Sequence, residues 1–394
     1  MTSISNLEAH GVPVTADGKL VRTKAVVHDV AELRALLDNG LDEKGREAHY
    51  EALFGGISTP DDTSVAQRVA AHVIGNAELS GADKAQAAAA FPMTVNVVAA
   101  PEAAGPLTVS SRYDLSSTSG PTIVTFTDVI LEQGGYFVCE ATALSFTCDT
   151  LTRNGNSGTP GIADFNIIGK TPGTPVTPPA PSAASQAARG KGGECSSAGI
   201  AGDGGGNGNP GAPGQPGTAG TPGGAGVPSQ AATITITTTL ASPISIFSAS
   251  GAGGQGGNGG PGGTGQQGGN GGNGATCDCT GNGGGSGGDG GSGGTGGAAG
   301  SGGNGTDAAG NIAVYVPAPA DVQKVSFTPA TAPPGNPGQP GPGGAGGAGG
   351  GGGSGGKNNS GGGQGGTGAH GATGAQGQPG SQSGRPAQIT VSPR

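Results

Sequence analysis

The chain has 394 residues, a formal net charge of −9, and 11% charged and 3% aromatic residues, with no tryptophan. Its 90 glycines and 30 prolines are about 30% of the whole, where low-complexity and collagen-like compositions begin. A conventional apolar core therefore fits only part of the chain. No basic patch is interleaved with aromatics, which argues against a nucleic-acid partner, and no apolar run reaches the length of a membrane span.

The N-terminus, MTSISNLEAHGVPVTADGKL, lacks a basic region followed by an apolar stretch. The expected location is extracellular, or a cell or virion surface, reached without a standard signal peptide. Residues 1–25 read as extended or loosely held. Asp29 with Glu32 forms a capping box ahead of Val30, Leu33, Leu36 and Leu37, and Asn39-Gly40 is a stop signal. A helix follows over about Glu43 to Phe54. Thr59-Pro60 starts another through Val65, Val69 and Val73 to Gly75. Ser80 with Asp83 starts an alanine-rich helix that stops before Pro92. Residues 1–92 thus read as a small N-terminal helical domain.

From Met93 the period becomes two. Thr94–Val98, Leu107–Ser110, Thr122–Leu131, Tyr136–Cys139, Leu144–Cys148 and Asp164–Ile168 are strand candidates rich in Val, Ile, Thr and Phe. Residues 93–170 read as a β-rich base, a β-solenoid or a β-sandwich.

Beyond Lys170 the chain alternates between two textures. Proline-rich 171–193 precedes Glu194-Cys195-Ser196-Ser197, and glycine then recurs every third residue from Gly199 to Gly226. A second run keeps that period from Gly253 to Gly274. It shifts register at Cys277-Asp278-Cys279-Thr280 and resumes from Gly281 to Gly305, broken once at Ala299. A third run starts at Gly335, turns near Lys357-Asn358-Asn359-Ser360 and keeps register from Gly362 to Gly380. Strand islands at 231–249, 311–328 and 387–392 separate the runs.

A period of three is that of a polyproline-II or polyglycine-II helix, which returns the same face to a neighbour each turn. Such a helix has no internal hydrogen bonds, so its backbone groups must pair elsewhere. The expected class is therefore α + β with a polyglycine-II bundle. Six antiparallel polyproline-II-type arms, in three hairpins (171–228, 253–306, 335–382), each span roughly 65–90 Å at about 3.1 Å per residue. The G-G-X repeat of 253–276 and 281–306 offers two glycine faces and places that hairpin inside. The G-X-P repeat of 199–228 offers one and belongs at an edge.

This layout over residues 171–385 resembles the polyproline-II bundles of snow-flea-type antifreeze proteins. It is also similar to the polyglycine domains of phage tail-fibre adhesins. The resemblance rests on period and hairpin layout. The helical segment and the β-islands depart from both families. The adhesin likeness implies that the turns at the far end contact a receptor, and the candidate contacts are Glu194, Ser196, Asp278, Thr280, Lys357, Asn358 and Asn359. If those turns are adjacent, Cys195 is placed to pair with Cys277 or with Cys279.

No catalytic, cofactor or metal constellation emerges. CDC at 277–279 lacks a histidine or second cysteine pair, which makes zinc improbable. His10, His28, His49, His72 and His370 have no nucleophile or carboxylate at catalytic spacing, and Cys139 and Cys148 read as buried thiols. The GxGxxG strings sit in no β-α unit. The expectation is a non-enzymatic structural protein, a self-assembling surface or extracellular fibre or matrix subunit. The alternatives are an adhesin binding a receptor or glycan through the turns, and an ice-binding protein. No cofactor is expected.

Overall fold

The computed structural model describes residues 21–37, 43–55, 68–69, 72–73, 78–99, 105–117, 120–158, 161–197 and 201–394. The expectations for His10, for the helix stop at Asn39-Gly40, for the helix start at Thr59-Pro60 and for its end at Gly75 lie outside these residues.

The expected class is overturned. By its regular elements the molecule is an α/β-type fold built on two mostly parallel sheets of eight and five strands, not a helical bundle with antiparallel arms on an α + β base. The eight-stranded sheet contains β1 (Val21–Val27), β2 (Met93–Ala99), β3 (Leu107–Val109), β5 (Thr122–Leu131), β7 (Leu144–Arg153), β9 (Ala232–Leu240), β11 (Ile312–Val316) and β13 (Ile389–Pro393). The five-stranded sheet contains β4 (Arg112–Asp114), β6 (Tyr136–Glu140), β8 (Phe165–Ile168), β10 (Ile244–Ala249) and β12 (Val325–Ala330). Only the β1–β2 pair is antiparallel.

From β4 onward the chain alternates between the sheets, so each circuit adds one strand to each. Alternation at period two then decides what faces inward. Leu144, Phe146 and Cys148 of β7 join Ile234 and Ile236 of β9 and Ile312 and Val314 of β11 in one core. Phe137, Phe146 and Phe165 meet at its centre with ring centroids 5.0–5.3 Å apart. Such stacked and edge-on aromatic pairs contribute beyond their buried area.

The N-terminal segment is not a helical unit of its own. Residues read as loosely held form β1, an edge strand. Helix α1 (Val30–Leu37), capped where Asp29 accepts from the Glu32 amide at 2.7 Å, buries Leu33 and Leu36 with Val27, Val95, Val97 and Ile123. Helix α2 (Glu43–Phe54) buries Leu53 against Ala231 and Ala313. Helix α3 (Gly81–Ala89) starts at Ser80, whose hydroxyl accepts from the Asp83 amide. These elements lie against the outer face of the larger sheet. Residues 322–324, read as strand, belong instead to a 3-10 helix over Pro319–Lys324.

The glycine-rich runs contribute neither helix nor strand. They are long connections. In an early circuit residues 141–143 suffice to pass from β6 to β7; later, the β8–β9, β10–β11 and β12–β13 passages each carry a glycine-rich excursion. All three excursions thus leave from equivalent places. Ile312 pairs with Ala232, 80 residues earlier, and the Gly256 amide donates to Asn336 O, 80 residues later. The strand register and the glycine register share one repeat.

Backbone bonds hold the excursions together. Gly262 donates to Pro342 O, Gly263 to Gln215 O and Gly294 to Gly263 O, at 2.7–2.9 Å, and the pattern recurs every third residue. Glycine is required where chains approach this closely: a Cβ on Gly291 would lie 1.9 Å from Ala212 O. Both glycines of most triplets in 253–273 are buried, whereas residues 203–225 are mostly exposed. Asparagine and aspartate on one excursion capture amides on the next. Asn258 Oδ1 accepts from Gln339 N at 2.8 Å, and Asp289 Oδ1 from Gly366 N at 2.7 Å.

Candidate functional site at the excursion turns

The three turns meet. Cys195 in the first is bonded to Cys277 in the second, with a Cα–Cα distance of 5.8 Å across 82 residues of sequence. Cys279 is a free, exposed thiol. The second turn closes through Cys277 N donating to Thr280 O at 3.1 Å. It meets the third turn where Gly281 N donates to Lys357 O, Asn359 Nδ2 to Gly281 O at 2.7 Å, and Lys357 Nζ to Asp278 O at 3.3 Å. Asn358 sits at φ +62°, a left-handed conformation that asparagine tolerates better than most residues.

Each residue expected at the turns has a place. Glu194 is exposed and pairs with Lys191 at 2.8 Å. That contact lowers the Glu194 carboxyl below its usual range and raises the Lys191 ammonium. Ser196 is half-buried, while Asp278, Thr280, Lys357, Asn358 and Asn359 are exposed. The sequence reading missed Asn282, which is buried behind the first two turns. Its Nδ2 donates to Glu194 O at 3.0 Å and to Asp203 O at 2.5 Å, and its Oδ1 accepts from Ala275 N. An amide donates twice and accepts at once, so it satisfies orphaned backbone groups on both sides. Its only sequence signal is its position, directly after the register break.

A second polar cluster lies under α2. His49 is buried, its Nδ1 2.7 Å from the Tyr315 hydroxyl and its Nε2 3.3 Å from Thr233 Oγ1, with the two rings stacked at 5.5 Å. Burial pushes the imidazole down to about 4, so it is neutral at pH 7. The 266 residues between His49 and Tyr315 hid this pair from sequence reasoning. Arg153 and Asp164 form a buried ion pair at 2.9 Å, and Asp164 Oδ2 also accepts from Ser245 N and Oγ. Burial raises the Cys139 thiol to about 12 and lifts that of Cys148 too.

Among the described residues no group of three or more His, Cys, Asp or Glu is arranged to hold a metal. No helix is long and apolar enough to cross a membrane. No family model, no curated protein and no solved structure matches the chain. What the turns offer chemically is a polar, mixed-charge surface assembled from three distant segments and locked by one covalent bond.

Proposed function

We propose that this is a non-enzymatic structural protein of a surface or extracellular assembly, in which the sheets form the base and the glycine-rich excursions form a stiff projection. The observation that supports it most is the three-residue ladder of inter-segment backbone bonds. Such a ladder orders residues that would otherwise be a flexible linker, and ordering glycine is costly enough that the order must serve the shape. Self-association is the expected behaviour. Electron microscopy and sedimentation over a wide concentration range test it, and monomers throughout would overturn it.

A second reading is an adhesin that engages a receptor or glycan through the turns. The Cys195–Cys277 bond and the Asn282 and Asn359 contacts favour it, because they preorganise a composite surface before any partner arrives. Replacing Asp278 and residues 357–359 with neutral turn residues should abolish binding to target cells. Unchanged binding would reject this reading.

A further inference from the structure

A cavity of about 430 Å³ lies away from the turns, between α1, α3 and the segment that carries His72. It falls in the roughly 300–1,000 Å³ range of small-molecule sites. Its wall is divided by chemistry. Leu79, Ala88 and Phe91 supply apolar surface, while Arg34 of α1 and Lys84 of α3 bring two cations from two different helices.

The acidic groups nearby are already engaged. Asp29 Oδ1 accepts the Glu32 amide as the α1 cap, and Glu32 Oε2 lies against the His28 ring and accepts the His28 amide. Asp83, on the same helix as Lys84, is bonded to Arg68 at 2.7 Å and to the Ser80 hydroxyl. Lys84 has no ion-pair partner among the described residues. The imidazoles of His28 and His72 also line the cavity, and protonation of either adds positive charge. In a chain of net charge −9, this cavity collects cations.

We propose that the cavity binds a small amphipathic monoanion, an aliphatic or aromatic carboxylate. Its apolar body packs on Leu79, Ala88 and Phe91, and its carboxylate lies between Arg34 and Lys84. A carboxylate matches a guanidinium in geometry and both cations in charge, and the apolar wall adds burial that a purely inorganic anion would not use. The site is independent of the turns and of the structural role proposed above.

Octanoate is the probe, titrated calorimetrically into the full-length oxidised protein, with octylamine and 1-octanol as length-matched cation and neutral controls. The expected result is saturable 1:1 binding of octanoate, with octanol at least ~tenfold weaker and no binding of octylamine. Lys84→Glu reverses one charge at an exposed position and should weaken octanoate binding by at least ~tenfold, whereas Lys84→Arg should retain it. Circular dichroism of both variants checks that the fold is intact. Absence of octanoate binding at millimolar concentration, equal binding of octanoate and octylamine, or an unaffected Lys84→Glu variant would each overturn the proposal.

Discussion

Gly291→Ala tests the reasoning about the glycine-rich excursions most directly. An ideal Cβ there would lie 1.9 Å from Ala212 O and 2.5 Å from Ala212 C, well inside any real carbon–oxygen contact. Residue 291 cannot simply retreat, since its amide donates to Gln266 O and its carbonyl accepts from Gly347 N, both at 2.8 Å. The displaced chain must pull away from 212, and the flanking bonds Gly211 N to Asp289 O and Gly214 N to Ser292 O stretch first. At about 0.5–1.5 kcal/mol net for each bond, losing both costs about 1–3 kcal/mol. The matched control is Gly363→Ala, where a Cβ would meet nothing within 4 Å. Restricting the unfolded chain there should stabilise by about 0.4–1 kcal/mol. Urea denaturation followed by circular dichroism, with proteolysis of residues 201–306 as a local probe, measures both. Equal stability of the two variants would show that close backbone approach does not set the glycine period.

The Cys195–Cys277 bond closes an 82-residue separation, for which chain entropy gives an upper figure of about 4.5 kcal/mol; Cys277→Ser should cost about 2–4 kcal/mol in thermal denaturation, and an unchanged midpoint would deny the bond a structural role. His49 is neutral and buried with its folded value lowered to about 4, so the unfolded chain binds the extra proton. Stability is complete above about pH 6.5 and falls as pH drops from there to about 4, by roughly 3 kcal/mol, a slope that His49→Gln should lack. Asp164→Ala strands the buried Arg153 guanidinium and should cost about 3–5 kcal/mol; a loss below about 1 kcal/mol in urea titration would contradict the buried pairing.

Much of the local order could be read in advance. Asp29 and Ser80 announce α1 and α3 because a side-chain oxygen satisfying a free amide is a local interaction. The strand islands announce themselves by alternation, as in Ala232, Ile234 and Ile236 facing inward. The turns were legible because Cys277–Thr280 and Lys357–Ser360 interrupt the glycine register. Strand β1 was not, because Val21–Val27 earns its place by pairing with Met93–Ala99. Asn282 was not, because its partners at 194 and 203 lie some 80 residues away.

By itself the sequence determined the three-residue glycine period and the inward and outward faces of the strands, since both follow from how neighbouring residues repeat along one chain. Only the tertiary structure decided the class of the fold. Parallel pairs such as Ala232 with Ile312 join segments 80 residues apart, and no local pattern says which strand lies beside which. It likewise decided that Cys195 bonds to Cys277 and leaves Cys279 free, because two cysteines one residue apart differ only in where the folded turn aims them.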